Sequence, residues 1–182
     1  MLALVVTAAG MTLRYVRQKH PAWAGNAWKQ ITLPYRVLRL RGQPADTSIR
    51  MPVAGVRRSS LRNTWHAPRG ADRLHEGQDI FAPQGAPVLS ATAGIVTKIG
   101  QDRLGGNVVL VLGPGGRSYY YAHLSHHAEL LRTGDDVIPG DVLGYVGNTG
   151  NARGTPPHLH FGIYTSSGVI DPLPLVTEGA LE

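Results

Sequence analysis

Beyond Met51 the hydrophobic positions fall in short runs rich in Val, Ile, Leu and Tyr, broken about every ten residues by Gly, Pro, Asn and Asp. This texture predicts short strands joined by tight turns. Pro87–Ala91, Gly94–Ile99, Asn107–Leu112, Ser118–His123, Val142–Val146 and His158–Tyr164 read as strands, with turn signals such as Gly105-Gly106-Asn107, Gly113-Pro114-Gly115-Gly116 and Pro139-Gly140-Asp141 between them. Only Ala128–Arg132 has a pattern suited to a helical turn, and no solenoid repeat is present. Upstream, Leu2–Leu13 is apolar and is followed by Arg14, Arg17 and Lys19. That run is shorter than the roughly 17–25 residues of a spanning helix. Its charges follow the apolar stretch, where a secretory signal would carry them ahead of it. It is therefore expected to be the C-terminal part of a signal or anchor, an ordinary buried segment being the other reading. Residues 14–50 have low periodicity and are expected to be a basic linker, leaving one folded domain over residues 51–176 and a tail over 177–182.

Composition narrows this picture. A chain of 182 residues and 19.5 kDa suits one domain, and 42% apolar with 16% charged residues is a globular balance. The chain has no cysteine, which removes disulfides, thiol catalysis and every cysteine-ligated metal site. Any metal must be held by nitrogen and oxygen. The net charge of +6 is uneven: the residues through 60 hold ten Lys or Arg against Asp46 alone, whereas the remainder is mildly acidic. A basic leader of this kind is expected either to be a solvated linker or to touch an anionic membrane or wall polymer. Nucleic acid is not expected, because no helix-turn-helix, OB or RRM pattern accompanies the charge.

Candidate chemistry lies in the eight histidines. Within HLHFGIY, period-two alternation puts His158 and His160 on one face and Leu159, Phe161 and Ile163 on the other. His75-Glu76-Gly77-Gln78-Asp79 places a histidine and a carboxylate four residues apart around a glycine that lets the loop fold back. His123 ends SYYYAH and is expected on the same face as Tyr119 and Tyr121. Two histidines and a carboxylate are the ligand set of a catalytic zinc that keeps a fourth position for water. The residue types alone leave open which histidine of the H-x-H would be the ligand.

The blocks RLHEGQDIFAP (73–83), GAPV (85–88), GGNVVLV (105–111), YYYAHLS (119–125), GDDVIPGDVLGYVGNTG (134–150) and HLHFGIY (158–164), in this order, resemble the lysostaphin/LytM-type zinc endopeptidases of bacterial cell walls. The likeness spans about residues 51–175. It implies a mainly β catalytic domain, an antiparallel sheet or barrel-sandwich of the duplicated-hybrid-motif kind, with an irregular or short helical N-terminal extension. It also implies one zinc ion per chain held by His75, Asp79 and His160, with His123 and His158 as the catalytic pair. The expected activity is hydrolysis of peptide bonds in the stem or cross-bridge of peptidoglycan. The apolar start and basic leader suggest a periplasmic, membrane-anchored enzyme that cleaves as a DD-endopeptidase. Relatives that have lost the zinc residues activate amidases, which is the alternative.

Gln78 and Pro156-Pro157 depart from the family pattern and are expected to touch no ligand. His126 and His127 are expected in a solvated loop, Trp65 and His66 in loop packing, and Asn107 in turn chemistry, while Glu76 is expected to be exposed. Tyr119, Tyr120 and Tyr121 read as strand packing. The turn-rich stretch from Gly134 also resembles biotinyl or lipoyl carriers and sugar-phosphotransferase IIA domains. Lys98 sits in a strand and not in the displayed hairpin a carrier needs, and a IIA phosphocarrier would have no use for Asp79.

Overall fold

The computed structural model describes residues 22–69 and 73–178. The chain divides into two units, one through Arg36 and one from Val37 onward. Helix α1 (Ala22–Arg41) starts in the first and ends in the second, so the expected aperiodic linker is helical over this span. Trp28, Ile31, Tyr35 and Leu38 recur at spacings of three and four, which sets them along one side of the helix, and all four are exposed. Pro34 lies inside α1, where it removes a donor from the ladder and masks the pattern in the sequence. Arg39 and Arg41 occupy the last turn, where cations are favoured. No helix among the described residues is long and apolar enough to cross a membrane. The apolar run Leu2–Leu13, residues 14–21 and the tail from residue 179 lie outside the described residues.

The second unit is mainly β. Its strands are β1 (Ile49–Arg50), β2 (Gln78–Phe81), β3 (Pro87–Leu89), β4 (Gly94–Asp102), β5 (Gly106–Leu112), β6 (Ser118–His127), β7 (Asp136–Val137), β8 (Val142–Val146), β9 (His158–Thr165), β10 (Gly168–Ile170) and β11 (Val176–Thr177). The main sheet runs β10-β9-β6-β5-β4-β7, with β2 paired to β9 and the β3–β8 pair attached through β6. All its pairings are antiparallel, and the sheet is open and does not close into a barrel. β1 and β11 form a separate parallel pair.

Alternation builds the core. Tyr119, Tyr121 and Leu124 from β6, Leu159, Phe161 and Ile163 from β9, and Val109 and Val111 from β5 are fully buried in one cluster. Each large side chain so buried contributes about 1.5–3 kcal/mol relative to exposure. Tyr121 also donates no orphan to that core: its hydroxyl accepts the Ala91 backbone N–H at 2.9 Å.

The long strands and the short β3 fall where the hydrophobic runs predict, and the other short ones do not. β1, β7, β10 and β11 have two or three residues, too few for alternation to show, and β2 begins on the polar Gln78. Ala128–Arg132 forms a turn, Leu131 N–H donating to Ala128 O at 3.2 Å, and no helix. The folded unit also reaches upstream of residue 51. Ile49 is in the core cluster, and Asp46 Oδ2 accepts hydrogen bonds from Tyr119 and Thr92, both at 2.6 Å. The lone acidic residue of the basic leader thus ties that leader to the sheet.

Candidate metal centre

β9 delivers two imidazoles because its inner residues are committed to the core. Leu159 and Phe161 take one face, so His158 and His160 share the other. β2 lies antiparallel to β9 in a register that sets Asp79 opposite His160 and Phe81 opposite His158. Directly opposed side chains start about 4.5–5.5 Å apart at Cβ, so Asp79 meets the ring of His160. His75 arrives from the hairpin before β2, which is closed by His66 N–H to His75 O and His75 N–H to Ala67 O, each 2.9 Å.

The three side chains converge. His75 Nε2 is 2.8 Å from His160 Nδ1 and 3.0 Å from Asp79 Oδ1, and His160 Nδ1 is 3.2 Å from Asp79 Oδ1. His75 Nδ1 donates to Thr64 O at 2.6 Å, which leaves Nε2 with a bare lone pair. A lone pair and a carboxylate oxygen face each other at 3.0 Å, a repulsive arrangement unless a cation sits between them. Tetrahedral zinc with bonds of about 2.0–2.1 Å separates its ligand atoms by about 3.3 Å. The N, N, O triangle is within a few tenths of an ångström of that on its longer edges, so the residues fit a divalent ion.

Asp79 is buried, which by itself raises a carboxyl pKa. Hydrogen bonds and charge from His160 and His75 outweigh that, and Asp79 is held well below the usual carboxylate range. Its two oxygens are divided: Oδ1 faces the imidazoles, and Oδ2 is gripped by the Arg69 guanidinium. Burial likewise pushes His160 down, with the charges of His75 and Arg69 adding to it against the pull of Asp79.

His123 reaches the same point by a different device. Between Val109↔Tyr121 and Asn107↔Leu124 the β6 strand carries one more residue than β5, and His123 has φ +64°. This bulge turns His123 off the face that holds Tyr119, Tyr121 and Leu124, where regular alternation would have put it. The expectation that His123 shares the face of Tyr119 and Tyr121 is therefore corrected. Asn107 holds the strand just past the bulge, its Nδ2 donating to Leu124 O at 3.0 Å and Ser125 O at 2.9 Å, so its role is to clamp a bulge and not to make a turn. His123 Nδ1 donates to Thr149 O and His158 Nδ1 to Pro156 O, both at 2.9 Å, which leaves each Nε2 as the free atom. The His123 ring centroid is 5.1 Å from that of His158 and 5.8 Å from that of His160. Burial, and then the charges of His160 and His158, push His123 down to about 4.

A model of peptidase family M23 matches residues 73–172, the stretch that carries all five of these groups. The chain belongs to peptidase family M23. It is 41% identical over 116 residues to an L-Ala–D-Glu endopeptidase of Bacillus subtilis, covering 60% of this chain and 36% of that protein. It is 35% identical over 119 residues to the DD-carboxypeptidase/endopeptidase Mpg of Neisseria meningitidis, covering 65% of this chain and 25% of that one. The catalytic domain of lysostaphin from Staphylococcus simulans superposes with a TM-score of 0.57 at 29% identity, covering 64% of this chain and 92% of that one. The chain spans about a third or less of the length of these two curated relatives.

The M23 site has supports that no sequence motif marked. Thr64 accepts the His75 Nδ1 proton through its carbonyl and, through Oγ1, the Asp79 backbone N–H at 2.8 Å. Gln78 is fully buried; its Oε1 accepts Thr64 N–H at 3.3 Å while its Nε2 donates to Arg62 O at 2.6 Å and Asp79 O at 2.9 Å. The expectation that Gln78 touches no ligand residue is overturned, since it fastens the backbone of Asp79 to the segment that orients His75. Its polar character inside a strand was the one available signal; Thr64 and Arg69 had none. Pro156 also has a part, through the carbonyl that fixes His158. Gly77 is needed for space, because a Cβ there would lie 2.6 Å from His160 Cε1 and 2.8 Å from Phe161 O.

Tyr120 departs from strand packing: its hydroxyl donates to Asp102 Oδ2 at 2.8 Å and its ring stands edge-on to His160 at 6.0 Å. The remaining histidines stay away from the centre. His126 is exposed and stacks on Tyr145 at 4.4 Å, and His127 Nε2 contacts Val108 O at 3.1 Å, both on the end of β6 and not in a loop. Trp65 and His66 stack on one another at 4.4 Å, and Glu76 is exposed. The centre opens into a groove of about 1050 Å³.

Proposed function

We propose that this chain is a zinc endopeptidase that hydrolyses peptide bonds in the stem or cross-bridge of bacterial peptidoglycan. The observation that carries the reading is the triangle of His75 Nε2, Asp79 Oδ1 and His160 Nδ1, with the free Nε2 atoms of His123 and His158 beside it at the head of an open groove. Those three atoms would hold the metal, which when bound supplies a Lewis acid and a water of lowered pKa. The protein residues then handle position and protons. His123 is neutral at neutral pH, because its pKa is near 4, and its Nε2 is free to take a proton. His158 offers a second free Nε2, 3.9 Å from Asp79 Oδ1. The two histidines divide proton uptake from the attacking water and proton delivery to the leaving amine.

The similarity to an L-Ala–D-Glu endopeptidase and to a DD-carboxypeptidase/endopeptidase supports a stem-peptide substrate. We assign the cross-link between stems as the cleaved bond, in the bacterial cell envelope that holds this substrate; relatives named DD-carboxypeptidase/endopeptidase and peptidoglycan DD-endopeptidase support the bond. The alternative role as an amidase activator has little support here, since that role goes with loss of the zinc residues. Digestion of purified sacculi by zinc-loaded protein, read by mass spectrometry, tests the assignment. Release of stem peptides cut at the cross-link supports it; products cut only at the glycan–peptide amide, or no products, overturn it.

A further inference from the structure

The groove is more basic than cleavage of a neutral peptide requires. Arg69, Arg73, Lys98 and Arg103 line it against Glu76, Asp79 and Asp102. Two of those carboxylates are already engaged. Asp79 faces the imidazoles with one oxygen and Arg69 with the other. Asp102 is spent on its own turn, accepting Leu104 N–H at 3.1 Å and Gly105 N–H at 2.5 Å through Oδ1, and the Tyr120 hydroxyl through Oδ2. Among the described residues no salt bridge or side-chain hydrogen bond engages Arg73, Lys98 or Arg103, and all three are exposed. Among the described lining residues, Glu76 is the carboxylate left facing these three cations.

Their placement gives them separate ranges. Lys98 stands on the sheet floor, in the cross-strand row Lys98–Leu110–Tyr120–Gly162 that ends two residues from His160. Three strand spacings of about 4.8 Å put its Cα roughly 15 Å from the strand of the metal triangle. At about 3.4 Å per residue, an extended peptide lying across the strands would bring a group two to four residues from the scissile bond within reach of that ammonium. Arg103 belongs to the β4–β5 turn on one wall, and Arg73 to the hairpin that presents His75 on another.

Resting on the endopeptidase reading above, we infer that Arg73, Lys98 and Arg103 form a carboxylate-reading rim, which selects acidic stem peptides with free carboxylates flanking the scissile bond over amidated stems and oligoglycine. The rim acts by charge and not by a fixed fork, so it sets how tightly substrate is held and leaves the chemistry to the centre. Such selection weakens as salt rises, because the cations are exposed.

The test uses the zinc-loaded full chain with two synthetic cross-linked stem-peptide dimers that differ only in whether the glutamyl α-carboxyls are free or amidated, and with pentaglycine. The wild type is expected to favour the free acid by about tenfold in kcat/KM at low salt, as several exposed ion pairs together allow. The difference should reside in KM and shrink on raising sodium chloride toward about 0.5 M. In the Arg73→Gln/Lys98→Gln/Arg103→Gln variant the ratio between acid and amide should fall to within about threefold of unity, with zinc content intact. Equal KM for the two peptides in the wild type, or an unchanged ratio in the variant, overturns the inference while the endopeptidase reading stands. If no peptide is cleaved, that reading has failed instead. Binding of fluorescein-labelled acid and amide peptides by the His123→Ala protein then still decides the rim: equal affinity overturns it, and preference for the acid supports it.

Discussion

Gly77→Ala is a one-methyl perturbation aimed at the metal centre. The glycine does not occupy the left-handed region, so alanine meets no backbone obstacle there, and the effect is one of space alone. The added Cβ would lie 2.6 Å from His160 Cε1, 2.8 Å from Nε2 and 2.8 Å from the Phe161 carbonyl, where ordinary contact begins at 3.4 Å. The Phe161 carbonyl is main chain of β9, so the main chain at residue 77 must back away from it while the imidazole also gives way, a displacement of several tenths of an ångström between His75, Asp79 and His160 that should cost on the order of a hundredfold in turnover. Metal affinity should fall by about 10–100-fold, the range seen when the support of a ligand is disturbed. Overpacking should also lower stability by about 1–3 kcal/mol. Titration with a competing zinc chelator and a sacculus digestion assay read the first two, and urea denaturation the third. Gly100→Ala on β4, where an added Cβ meets nothing within 4 Å, is the control. A Gly77→Ala protein with wild-type zinc affinity and turnover would refute the steric account of this position.

Removing His160 with alanine should abolish metal binding and activity together, whereas His123→Ala should retain zinc and lose about 10²–10⁴-fold in kcat; metal analysis beside the rate separates the two, and full activity in either protein refutes the assignment. His123 titrates near 4 in the fold and near 6.5 when unfolded, so between those values the unfolded chain binds more protons. The metal-free fold should therefore hold this stabilisation, about 3 kcal/mol, above pH 6.5 and lose it as pH falls toward 4; equal urea midpoints at pH 7 and pH 4.5 would contradict this. Tyr121→Phe leaves the buried Ala91 N–H without an acceptor and should cost about 1–3 kcal/mol, measured from the urea midpoint, with an unchanged midpoint counting against the bond as a stabilising contact.

The strand positions, the absence of any sulfur chemistry and the shared face of His158 and His160 were all legible in the sequence, because period-two alternation is a local property of extended chain. Leu159, Phe161 and Ile163 must be buried, and that alone sends both imidazoles the other way. Which imidazole meets the carboxylate is not local. It was fixed by the β2–β9 register, which sets Asp79 against His160 and Phe81 against His158; a slip of two residues would set Asp79 against His158 without changing which positions face the core. His123 shows the same division. Alternation counted from Tyr119 and Tyr121 sends it to the core, and only the extra residue opposite β5, with its left-handed backbone, turns it to the groove. Thr64, Gln78 and Arg69 went unmarked because each acts through a backbone or carboxylate partner that tertiary pairing alone brings near.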